Sequence, residues 1–125
     1  HAGLWADALP DSAALEARSH VVAPPGWSGA LVAVDTLVLD TDVHRLTVLY
    51  RGLVPRLAAL VDEIGALLDG PGDAAIARTQ RLVAADVAVD LAAGGGLLAA
   101  ALQDPDGPEI AATVTKALDQ AFRIK

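Results

Sequence analysis

Two residue types are missing altogether: the 125-residue chain contains no cysteine and no methionine. The first absence excludes disulfides, a thiolate nucleophile and any sulfur-ligated metal, while leaving the compartment open. The second extends to position 1, where His1 stands, and it reads as a processed chain or a piece of a longer one. No basic segment followed by an apolar one opens the sequence, so a signal peptide, had there been one, is expected to be gone already. Aromatic residues make up only 3% of the chain, so a core has to be built from Ala, Leu, Val and Ile. Basic residues are also few. Nine Lys and Arg stand against sixteen Asp and Glu, giving a net charge of −7, and they are scattered. That argues against nucleic acid, whose phosphates require concentrated positive charge, and against an anionic membrane surface. A cationic partner and plain solubility fit the acidity equally well. The uncharged stretch from Leu91 up to Asp104 is too short to cross a bilayer. No membrane span within the chain is therefore expected, and that stretch reads as a buried helix.

What the chain has is alanine and leucine, the strongest helix formers, in a length suited to one domain with one core. The fold class expected is all-α, an antiparallel helical bundle with a long central helix kinked at Pro55. Residues 1 to 22 read as an N-terminal helical segment: Leu4, Trp5 and Leu9 share a face before Pro10, and Asp11 or Ser12 caps a second piece carrying Leu15 and Val22. Residues 23 to 29, Ala-Pro-Pro-Gly-Trp-Ser-Gly, read as a linker. Residues 30 to 125 form the bundle core.

The strongest signal lies at Leu39, Val43, Leu46, Tyr50, Leu53, Leu57, Leu60, Ile64 and Leu67, spaced in steps of three and four. Such a row keeps one stripe facing a partner helix. It runs past Pro55 in phase, which predicts one kinked helix from about Leu31 to Asp69, about 60 Å long at ~1.5 Å per residue. A break near Gly52 to Pro55 leaving two collinear helices is the alternative. The valine-rich stretch 30 to 38 would suit a strand, but a lone strand has nothing to pair with, so helix is preferred. Asp69-Gly70-Pro71-Gly72-Asp73 predicts a helical hairpin. The next helix is expected from Ala74 to about Gln103, with Ile76, Gln80, Val83, Val87, Leu91, Gly94, Leu98 and Leu102 on one side. After a break at Asp104 to Pro108, a last helix presents Ile110, Val114, Ala117, Leu118, Ala121 and Phe122 inward.

Chemistry-bearing residues are sparse. Asp40 and His44 lie four apart and share a helix face, offering two ligands to a divalent metal; Asp86 and Asp90, also four apart, would supply the rest. The competing reading has these groups solvated, with Asp40 bonded to His44, since the Glu-x-x-His pattern of di-iron bundles is missing. Asp86 and Asp90 would equally suit ion pairs with Arg45, Arg51 or Arg56 of the facing helix, or a narrow solvated stripe. Three consecutive glycines, Gly94, Gly95 and Gly96, cost a helix about 1 kcal/mol each relative to alanine. Close approach of another helix, room for a ligand, a hinge or a helix break would each explain them. They match no phosphate loop. Gly26-Trp27-Ser28-Gly29 has the wrong spacing for a nucleophile elbow, so no hydrolase triad is read. Trp5 and Trp27 suit either a partner anchor or a cover on the end of the bundle. Tyr50 reads as sitting at the bundle edge.

These features favour a non-catalytic sensing or small-molecule-binding module, a regulatory domain of a larger protein. Tyr50, Gly94, Gly95, Gly96 and Leu98 would line the site for a small apolar ligand, and no cofactor is expected. The alternatives are an oligomerisation or partner-docking bundle, motivated by the long stripe, and a metal-dependent enzyme centred on Asp40, His44, Asp86 and Asp90. A homo-oligomer is expected because so long a helix exceeds what one small bundle covers.

Overall fold

A computed structural model describes residues 1 to 8 and 26 to 123. The described chain is all-α, and no strand occurs among these residues. It runs through α1 (Ala2–Ala8), α2 (Trp27–Asp35), α3 (Asp42–Thr47), a π-helical segment (Val48–Leu53), α4 (Val54–Leu67), a 3-10 turn (Pro71–Asp73), α5 (Ala74–Ala101) and α6 (Gly107–Arg123). The segment expected to carry Leu15 and Val22 lies outside the described residues.

The predicted helix from Leu31 to Asp69 is in fact two. α2 starts earlier, at Trp27, so the last three residues of the expected linker are helical, and it stops at Asp35. The stop is local chemistry. The Thr36 hydroxyl donates back to the Ala33 carbonyl at 2.6 Å, and the Thr36 and Leu37 amides close tight turns onto Ala33 and Val34. A fresh start follows at Thr41, whose extended backbone (φ −117°, ψ 164°) lets its hydroxyl accept from the His44 amide. Asp42 in the first turn adds favourable charge at the helix N-terminus.

From Asp42 to Leu67 the helix is continuous through Pro55, but not at constant pitch. Pro55 brings no N–H to the ladder and its ring crowds the preceding turn. The chain widens into a π turn just before it, with the Val54 amide reaching back to the Leu49 carbonyl. The extra residue shifts the phase of the apolar row. Val43 of that row is buried, Leu46, Tyr50, Leu53, Leu57, Leu60 and Ile64 are half-buried, and Leu67 is 77% exposed. The other buried positions of the central helix lie off that row, at Thr47, Val48, Gly52 and Val61. Gly52 is needed there, since a Cβ would stand 2.7 Å from the Leu118 side chain.

α5 begins and ends within two residues of the prediction and buries Thr79, Val83, Val87, Gly94 and Leu98. It runs antiparallel to the central helix: Gln80 donates to the Val61 carbonyl at 3.1 Å, further along Tyr50 donates to Asp90, and at the far end Val43 and Ala101 share a cleft wall. α6 buries Ala111, Val114, Leu118 and Ala121. The core has two lobes along the central helix. Val48, Val114 and Leu118 gather Val34, Leu37, Leu53 and Phe122, and Val61, Val83 and Val87 gather Trp5, Val54 and Leu57. Each large side chain so covered contributes roughly 1.5 to 3 kcal/mol.

Candidate functional site

Tyr50 and Gly94, separated by most of the hairpin, meet. The phenol ring lies directly on the Gly94 backbone, so closely that a Cβ there would fall 1.8 Å from Cε1 of the ring. Above it the Tyr50 hydroxyl donates to Oδ1 of Asp90 at 3.2 Å, one turn earlier on α5. Partial desolvation of the ring, the hydrogen bond to Asp90 and the negative charge of that carboxylate all push the phenol pKa above its usual 10.0. The missing side chain at Gly94 is thus filled from within the chain. Gly95 and Gly96 differ: each faces open space, with nothing within 4 Å of where a Cβ would stand. Leu98 is buried in the core.

The four residues considered for a metal go separate ways. Oδ2 of Asp86 lies 3.3 Å from Nε2 of His1, Asp90 accepts from Tyr50, and Nδ1 of His44 is 2.8 Å from the Thr41 hydroxyl. Asp40 is exposed. No group of three or more His, Asp or Glu side chains close enough to hold a metal occurs among the described residues. The arginines considered as partners for Asp86 and Asp90 are otherwise engaged in two cases. Arg45 reaches Asp42 at 3.4 Å, and Arg56 reaches Asp119 at 3.1 Å.

Arg56 also belongs to a cluster that sequence reasoning missed. Its guanidinium donates to the Gly52 carbonyl at 3.0 Å, within the widened turn, and lies 4.1 Å from the centre of the Phe122 ring. Trp27 meets the same ring edge-on at 5.5 Å. One arginine therefore ties the π segment to α6, and α6 to α2 through the aromatic pair. A basic residue just after the Gly-x-x-Pro stretch was the available signal.

Two surface features remain. The first is a cleft of about 720 Å³ between the turn leading into α3 and the turn joining α5 to α6. Asp40, Asp42, Asp104 and Asp106 line it over an apolar floor of Val43 and Ile110. The second is the outer face of α5. Leu82, Val89 and Leu97 are 49%, 71% and 59% exposed, and Ala85, Ala88, Ala92, Ala93, Gly96 and Ala100 are exposed around them, with Asp86 and Asp90 as the exposed charges of the same stretch. By length and composition the helix from Pro71 to Ala101 is apolar enough to cross a membrane, and only 22% of its most apolar window is buried. No protein-family model matches the chain, and no curated protein or solved structure matches it.

Proposed function

We propose that the chain is a non-catalytic helical docking module that assembles through the outer face of α5. One observation carries this reading: three large aliphatic side chains, with mostly alanine and glycine around them and Asp86 and Asp90 as the charges among them, remain exposed along a helix whose other side is core. An exposed, largely apolar face of this kind marks an interaction surface, and its small residues let a partner helix approach closely. The experiment is sedimentation velocity over a range of concentration. The chain is expected to associate, and V89K combined with L97K, two positions that point to solvent, is expected to abolish association without lowering the melting temperature. Unchanged association in that variant would refute the reading.

A second reading, a small-molecule sensing module, draws on the cleft between the α3 and α6 starts. Its volume of about 720 Å³ falls in the range of small-molecule sites, and its four aspartates select a cationic ligand with an apolar body over Val43 and Ile110. A thermal-shift series with alkyl diamines, compared with a D104N and D106N double variant, tests it. Equal shifts in both proteins would dismiss it.

A further inference from the structure

Resting on the docking reading above, we infer that the second half of the outer α5 stripe seats a basic amphipathic helix of another protein, antiparallel to α5 with its N-terminus over the acidic cleft. The first support is continuity with an interface already present. Ala75, Thr79, Leu82 and Asp86 follow one another in steps of four and three, so they share one stripe of α5. Helix α1 sits on that stripe. Leu4 and Asp7 form a small cleft with Ala75, Arg78, Thr79 and Leu82, and Nε2 of His1 lies 3.3 Å from Asp86. With His1 at Asp86 and Asp7 nearer the start of α5, α1 runs antiparallel to it. The stripe continues in phase through Val89, Ala93, Leu97 and Ala100. There Val89 and Leu97 are 71% and 59% exposed, and both alanines are exposed as well. One face of α5 therefore carries a helix over its first half and is bare over its second.

Length and charge define the occupant. From Val89 to Ala100 the bare half spans about 17 Å at ~1.5 Å per residue, room for a helix of about three turns. Nothing lies within 4 Å of where a Cβ on Gly96 would stand, and with Ala93 and Ala100 it lets a helix come close. Both ends of this half are acidic. At one end stand Asp86, whose side chain is 67% exposed although His1 touches it, and Asp90, which accepts from Tyr50. At the other, Ala100 borders the cleft lined by Asp40, Asp42, Asp104 and Asp106. Helix α5 has no basic residue after Arg81. A fitting helix thus carries large apolar side chains three and four apart, with cations towards its ends. The antiparallel sense is the one α1 already takes on the same stripe. It also sets the partial positive charge of the incoming N-terminus against Asp104 and Asp106, leaving basic residues of the last turn for Asp90. An acidic helix would meet carboxylates at both ends, and a second α5 would bring its own Asp86 and Asp90 to the same row.

The probe is a synthetic helical peptide of about 12 residues, built from leucine, alanine and lysine, with leucines three and four apart and lysines in its first and last turns. Titrated with the full chain and read by fluorescence anisotropy, it should bind saturably. The same peptide with glutamate in place of lysine should bind about tenfold more weakly or worse. V89S combined with L97S changes no charge and should also weaken binding about tenfold, which separates seating on the stripe from loose attraction to an acidic protein. A nitroxide on the peptide C-terminus should broaden the amide resonances of Val89 and Asp90 and spare those of Ala100 and Gln103. Broadening at Ala100 instead, or full binding by the double serine variant, would overturn the assignment. Self-association that V89K with L97K abolishes, in a chain that binds no peptide, would make a second copy the occupant and leave the docking reading in place. Binding to phosphatidylglycerol vesicles through the same two positions, again without the peptide, would make the occupant a membrane. A chain that neither associates nor binds the peptide at millimolar concentration would remove both.

Discussion

Alanine substitution along the glycine triplet should give opposite results at adjacent positions. Replacing a helical glycine with alanine stabilises by about 0.8 to 1.0 kcal/mol when the methyl group meets nothing. That is the situation at Gly95, so G95A should raise stability by about 1 kcal/mol. At Gly94 the same gain is opposed by a Cβ that would stand 1.8 Å from Cε1 and 1.9 Å from Cζ of Tyr50. The ring has to leave, at a cost of roughly 1 to 3 kcal/mol for overpacking, and with it goes the hydroxyl bond to Asp90. G94A should therefore be destabilising by about 1 to 2 kcal/mol. The two variants would differ by about 10 °C in melting temperature, taking roughly 3 to 6 °C per kcal/mol for a domain of this size. The assay is thermal denaturation by circular dichroism at dilution, so that association does not contribute. In a Y50A background the clash is gone, and G94A should stabilise as G95A does; the coupling between positions 50 and 94 is the quantity read. If G94A stabilises in the native background, the ring is not where the reasoning puts it.

Tyr50 is the sole tyrosine, so ultraviolet titration reads it alone. It should ionise above 10.0, and D90N, which removes the charge, should lower that value. Because the folded pKa is the higher one, the associated stability is fully present below the unfolded pKa and is lost as pH rises through the folded one. Thr47 is fully buried and its hydroxyl has no partner among the described residues, so T47V should stabilise by about 1 kcal/mol in urea denaturation. R56K should cost about 1 to 2 kcal/mol, because an ammonium cannot serve the Gly52 carbonyl, Asp119 and the Phe122 face together. The same denaturation series reads it, and wild-type stability in R56K would show the cluster to be idle.

Where side-chain periodicity and turn chemistry agreed, the fold could be read from the sequence. The Gly-Pro-Gly hairpin, α5 with Val83, Val87 and Leu98 inward, and α6 with Val114 and Leu118 inward all stand as the spacing implied. The central helix was harder. Thr36 and Thr41 end one helix and begin another through hydroxyl bonds to backbone, a local competition that a row of leucines and valines does not reveal. Pro55 was visible, but a π turn conceals itself in a sequence because it costs one residue of phase, and here Tyr50 and Leu53 still fall half inside. In the site region, Tyr50 and Gly94 were both singled out, yet nothing in the sequence says that one fills the other. The second half of helix α5, from Leu91 on, passed as buried from its lack of charge. Alanine and glycine dominate its outer face, and small apolar residues look the same in a sequence whether a neighbour covers them or none does.

In the docking reading proposed above, the outer face of α5 becomes covered when chains meet. Maleimide labelling of V89C, kept under phosphine reductant and compared with S28C on an exposed part of α2, reads this directly. Labelling at position 89 is expected to slow as protein concentration rises while labelling at position 28 keeps its rate. Equal rates at both positions across the whole range would contradict it.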